Sequence, residues 1–151
     1  MTVSRKTFWL IPLVLLIAAQ FYQPVRTNPD LQGDVNAPGK LGLDLRRSCY
    51  DCHSNETEWS WYTNISPFSW WIVNHVEEAR SHMNFSEWNT YSSSEKREFY
   101  QKILQVTDGG EMPPWYYLPL HPNANLSLET KRRIRDWVKD KTGASTPDRY
   151  R

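Results

Sequence analysis

Five consecutive residues, Cys49-Tyr50-Asp51-Cys52-His53, place two thiols and an imidazole within about one turn of chain, and they include both cysteines of the sequence. Thiols three residues apart on a helical turn can add across the two vinyl groups of a haem, forming thioethers. A histidine directly after the second thiol then lies under the iron as its proximal nitrogen ligand. C-x-x-C-H is the attachment signature of haem c. Three other chemistries use parts of the same motif. A thioredoxin-like dithiol wants C-x-x-C between a strand and a helix, and this chain has no run of β-branched strands to build that sheet. A structural zinc site needs four ligands, yet beyond the motif only His75, His82 and His121 remain. A plain Cys49–Cys52 disulfide leaves His53 without a role.

A haem held by His53 alone is five-coordinate and open to small molecules, whereas a sixth protein ligand closes it as an electron carrier. Met83, Met112, His75, His82 and His121 are the candidates, and Met112 is the expected one. It lies in Gly109-Gly110-Glu111-Met112-Pro113-Pro114, where two glycines and two prolines make an irregular but stiff loop. A thioether is a weak ligand, so restraint by the loop helps it. The plainer reading is a methionine packed in a turn. His75 is the runner-up metal ligand, on a helical stripe of Phe68, Trp71, Ile72, His75 and Ala79. A histidine on such a face is commonly a packed one, bonded to a carbonyl or to a haem propionate. His82 and His121 stand in polar, loop-like contexts. Arg46 and Arg47 flank the motif and either neutralise propionates or form an exposed charge pair.

The elements that must position these groups read as all-α, a small helical domain ordered like a class I cytochrome c core. Helices are expected at about 40–48, 67–80, 94–106 and 128–141. Ser66 and Ser127 suit N-caps, Ser92 to Glu95 suits a capping box, and Gly109-Gly110 suits a stop. The apolar stripes are expected to face the core.

Ahead of the domain, Arg5 and Lys6 precede an apolar run from Phe8 to Ala19, the pattern of an export signal. Extended to Val25, the run has 18 residues, about 27 Å of helix and close to the roughly 30 Å hydrocarbon core. No small-x-small cleavage pattern follows it, and Trp9, Phe21 and Tyr22 stand where interfacial aromatics would. The expected layout is a signal anchor or signal peptide over 1–25, a linker over 26–40, the haem domain over 41–141 and a flexible tail over 142–151. The linker composition would let a tethered domain reach between partners.

The formal net charge is +1, and without Arg5 and Lys6 it becomes −1, so the balance gives no support for nucleic-acid binding. Only 39% of the chain is apolar but 14% is aromatic, with eight Trp and eight Tyr, which suits a small domain packed around bulky flat groups.

Three segments in order, SCYDCHSNETEWSWY, SPFSWWIVNHVEEARSHMNFSEW and GGEMPPWYYLPLHPNANLSLE, resemble the bacterial haem-binding domain family of monohaem c-type proteins. The resemblance covers roughly residues 41–140. It implies one covalently attached haem c with its iron, an exported location and a mostly helical domain. The expected function is single-electron transfer by a tethered cytochrome, not substrate chemistry. The expected setting is a bacterial inner membrane crossed once, with the haem domain in the periplasm and redox proteins of that compartment as partners. Two alternatives stay open: a five-coordinate haem sensor or peroxidase-like enzyme, and a haem-free C-x-x-C thiol–disulfide protein.

Overall fold

The computed structural model describes residues 5–143, and these form helices and short 3-10 turns with no strand among them. The tail expected from residue 142 lies, beyond Gly143, outside the described residues. Helix α1 covers Arg5–Ala19, α2 Gly39–Leu45, α3 Asp51–His53, α4 Phe68–His82, α5 Ser93–Gly109 and α6 Leu128–Thr142.

Local sequence explains the helix ends. Ser92 and Glu95 form a complete capping box, each side chain bonding the other residue's backbone, and Gly110 closes α5 in the left-handed region that glycine adopts without strain. Ser127 caps α6 by accepting from the Thr130 amide. Ser66, by contrast, does not cap α4. The helix begins at Phe68, and the Ser66 hydroxyl is bonded to Ser69 and Tyr22 instead.

Helices α5 and α6 pack on each other, α2 lies against α6, and α3 against α4. Leu41 and Leu45 of α2, Ile103 of α5, and Ile134 and Val138 of α6 form the aliphatic centre. Tyr100 and Trp137 meet edge to face at 4.9 Å beside it. The stripe on α4 does not join this core. The helix's buried residues are Ser69, Val73 and Val76, while Phe68, Trp71, Ile72 and His75 line a cavity that Val76 also reaches. A helical apolar period identifies a face that avoids water, and a cofactor-sized cavity satisfies that period as well as a core does.

Two expectations about the N-terminal region change. Helix α1 stops at Ala19, so it has 15 residues, about 22 Å, and the run to Val25 is not one helix. Among the described residues no helix is long and apolar enough to cross a membrane. The segment expected to link the domain to this helix has no regular structure, yet it is bonded along the domain. Arg26 donates to the Thr63 carbonyl, the Asn28 amide to the Thr57 carbonyl, and the Gln32 amide to the Ser86 carbonyl. Tyr50 donates to Asp34, which also pairs with Arg46. Proline and asparagine exclude helix here, and the segment's own donors turn instead to carbonyls of the domain.

Ile134 is fully buried, so Ile134→Ala should lower unfolding stability by about 2–5 kcal/mol in a denaturant titration. Leu128→Ala, at an exposed position of the same helix, should stay within about 0.5 kcal/mol.

Candidate functional site

The attachment motif sits on a helical run with one irregularity. Helix α2 passes without a break into a π-helical turn, Arg46–Tyr50, and then into α3, so Cys49 lies in the wide turn and Cys52 in the α turn. Such π turns recur at functional sites because they rotate the following side chains relative to the preceding ones. Cys49 packs against the core, whereas Cys52 faces the cavity. Both are free thiols.

The ring of His53 is fixed from behind. Its Nδ1 lies 3.1 Å from the Met83 carbonyl oxygen, just past the end of α4. A carbonyl only accepts, so Nδ1 carries the proton and Nε2 keeps its lone pair, the arrangement a metal-bound histidine needs. Burial pushes the imidazole pKa down and so favours the neutral, ligating form.

A polar clamp holds this turn to the end of α4. The Asn84 amide donates to the Asn55 side chain at 2.8 Å, the Asn55 backbone to the Ser86 hydroxyl at 2.9 Å, and the Ser86 backbone back to Asn84 at 3.0 Å. All three residues are buried. Arg80 adds four donations from its guanidinium: to the Ser54 carbonyl, the Thr57 hydroxyl, the Thr27 carbonyl and the Asn28 side chain. One side chain thus joins α4, the attachment segment and the N-terminal strap.

Beside Cys52 opens a largely apolar cavity of about 460 Å³, within the range of about 300–1,000 Å³ usual for cofactor sites. One wall is His75, whose Nε2 is 2.6 Å from the Tyr116 hydroxyl and whose ring lies on Trp71 at 4.8 Å. Another part of the wall is a polar chain. Tyr62 donates to Nε2 of His121, His121 Nδ1 donates to the Tyr117 carbonyl, and the Tyr117 hydroxyl donates to Asp51 at 2.6 Å. The His121 and Tyr117 rings stack at 3.8 Å.

Of the residues singled out in the sequence, Cys52, His75 and His121 belong to the cavity wall, and Cys49, His53 and Met112 do not. Met112 stands in the loop that leads into the wall at Tyr116 and is 37% exposed, its amide bonded to the Val106 carbonyl. Arg46 and Arg47 face away, paired with Asp34 and Glu56 and with Asp44 respectively. The Tyr62–His121–Tyr117–Asp51 chain has no sequence signature. It joins residues far apart, and only the turn before α6 brings His121 back to Tyr62.

The residues fit a haem. The donor set is a neutral imidazole with two reduced thiols, of which Cys52 lines an apolar cavity, and among the described residues no three His, Cys, Asp or Glu gather to chelate a bare ion. Trp59 supplies an independent sign. It lines the cavity, and its Nε1–H is buried without a partner, a state that costs about 1–3 kcal/mol unless an acceptor arrives. Haem propionates are such acceptors.

The thiols do not suit dithiol redox work. Burial, the larger cause, pushes Cys49 up to about 12 and Cys52 up to about 11, the opposite of the lowered values that make reactive thiolates. Iodoacetamide should therefore alkylate the haem-free folded chain at pH 8 more slowly than a free cysteine, by a few hundredfold at Cys52 and by about 1,000-fold or more at Cys49. The rate should keep rising about tenfold per pH unit up to about pH 11, well past the point where a free cysteine levels off, and recover to that of a free thiol in denaturant, read by mass spectrometry.

Comparison with curated proteins and with solved structures gives no match. A family model for the haem-binding domain matches residues 14–140, which spans the end of α1, the strap, the attachment turn, the cavity and α6. The chain belongs to the haem-binding domain family.

Proposed function

We propose that the chain is a membrane-tethered, exported monohaem c-type cytochrome that carries single electrons between redox proteins. The observation that carries this reading is His53, its Nδ1–H held by the Met83 carbonyl so that Nε2 is the nitrogen with the lone pair, directly after a pair of reduced thiols. A haem bound here supplies a one-electron Fe(III)/Fe(II) couple. Cys49 and Cys52 attach it, and His53 is the proximal ligand. The aromatic side chains of the wall keep water from the site, which favours the less charged ferrous state. Tyr62, His121 and Tyr117 keep that wall rigid through their hydrogen-bond chain.

Met112 is the proposed sixth ligand, delivered by its Gly- and Pro-bounded loop. Its exposure and its place next to the cavity wall, not in it, mean that binding draws the thioether inward by a loop adjustment. A second reading has its own support. His75 already stands in the wall, so the other face of the haem either takes His75 or stays open to a small ligand as in a sensor or peroxidase-like enzyme.

Tethering is proposed through α1, whose side chains from Trp9 to Ile17 are largely exposed and apolar. Its shortfall of about 8 Å against the bilayer core is the kind that local thinning and interfacial aromatics absorb. Arg5 and Lys6 keep the N-terminus on the inner side, which puts the haem domain in the periplasm of a bacterial inner membrane.

The test is an absorption spectrum and redox titration of the haem-loaded chain. The carrier reading predicts a weak red-edge sulfur–Fe(III) band that disappears in Met112→Ala, with the midpoint potential falling. Low-spin iron unchanged in Met112→Ala but lost in His75→Ala moves the ligand to His75. High-spin wild-type iron that binds CO readily sinks the carrier reading in favour of an open site.

A further inference from the structure

Of the chain's three long stretches without Asp, Glu, Lys or Arg, Met112–Leu128 has 17 residues, and the two that meet in space are Thr7–Val25 and Trp59–Val76, of 19 and 18 residues. Of these two, the first is α1 and its exit, and the second runs from the cavity wall into α4. The fold bolts them together. Gln20 follows the last residue of α1, and its side-chain amide pairs with the Ser66 backbone in both directions, donating to the carbonyl at 2.9 Å and accepting from the amide at 3.1 Å. Gln23 donates to the Ser66 hydroxyl at 2.9 Å and to the Asn64 carbonyl at 3.2 Å. The Trp70 indole donates to the Tyr22 carbonyl at 2.8 Å. No free linker separates the helix from the domain, so the domain cannot stand off from whatever α1 enters.

The joined surface is apolar where it faces outward. Phe21 is 88% exposed, Tyr22 70%, Trp61 72% and Phe68 64%. Trp61, Ile65, Phe68 and Trp71 are exposed and also line the cavity, so they form its mouth. A haem in the cavity would cover part of them. It would leave Phe21, Tyr22 and Trp70, which lie outside the cavity wall. Tryptophan and tyrosine continuous with the apolar stretch of α1, with Arg26 bonded to the Thr63 carbonyl, match the mix of aromatic and basic side chains at membrane–water interfaces.

We propose that the Trp61–Trp71 segment, with Phe21 and Tyr22, is a bilayer-docking surface that seats the cavity mouth at the headgroup level of the membrane entered by α1. The proposal rests on the tethered reading given above and goes beyond it. Tethering alone leaves the domain's orientation free, whereas docking turns the haem edge towards the lipid and towards electron donors or acceptors within the membrane plane.

The experiment uses the full haem-loaded chain in vesicles of phosphatidylethanolamine and phosphatidylglycerol that carry a photoactivatable diazirine on the acyl chain. After illumination, labelled residues are read by mass spectrometry. Docking predicts label on α1 and on 61–71, and little on α5 or α6. The double variant Gln20→Ala/Gln23→Ala should lose most of the 61–71 label, at least severalfold, while α1 stays labelled. Label on α1 with none on 61–71 overturns docking and leaves tethering intact. Label on neither overturns tethering and docking together. Equal 61–71 label in the double variant overturns the clamp as the orienting device.

Discussion

The fold depends on one junction, where the attachment turn meets the end of α4. The His53–Met83 contact at 3.1 Å sets the tautomer and the direction of the imidazole. The Asn55–Asn84–Ser86 triangle and the guanidinium of Arg80 fix the backbone on both sides of it. Buried polar groups of this kind are worth keeping only when every member is satisfied, since each orphan costs about 1–3 kcal/mol. Here donors and acceptors close on one another. Phe85 fills the space behind, stacked on Tyr50 at 5.0 Å and edge-on to His53 at 6.4 Å, so the ring has an apolar backing as well as a polar hold.

From that junction the rest follows in space. Helix α4 buries Ser69, Val73 and Val76 and lines the cavity with Phe68, Trp71, Ile72, His75 and Val76, so one helix both packs and borders the site. The α5–α6 pair and α2 build the core that holds the π turn in place. The turn between α5 and α6 brings Tyr116, Tyr117 and His121 back to close the cavity. The strap from Gln20 to Pro38 runs along the outside, and Arg80 bonds it to the same junction. Helix α1, strap and site are joined by these bonds.

Much of this was legible in the sequence, and the reasons differ by element. The capping box at Ser92, the cap at Ser127 and the stop at Gly109-Gly110 are local chemistry, so α5 and α6 could be placed within a few residues. The Cys49-Tyr50-Asp51-Cys52-His53 spacing pointed to haem before any fold was known, and the family match to residues 14–140 agrees with a haem-binding domain. What could not be read depends on contacts between distant residues. The stripe on α4 gave no sign of whether a core or a cavity lay against it. The strap's composition excluded helix but said nothing of Arg80, Asn55 and Tyr50 waiting to bond it. Nor does sequence spacing predict that Nε1 of Trp59 would be left buried and unpaired in the cavity region.

The central claim is covalent attachment of one haem at Cys49 and Cys52. The most direct measurement is the intact mass of the chain matured with the haem-attachment machinery, together with acid–acetone extraction and the pyridine haemochrome spectrum. The account predicts a mass increase of one haem that extraction does not remove, and a haemochrome band in the position of a haem with both vinyls saturated. Each single Cys→Ala variant should shift that band towards one free vinyl. A haem that extracts fully, or a chain that gains no haem mass, would contradict the account.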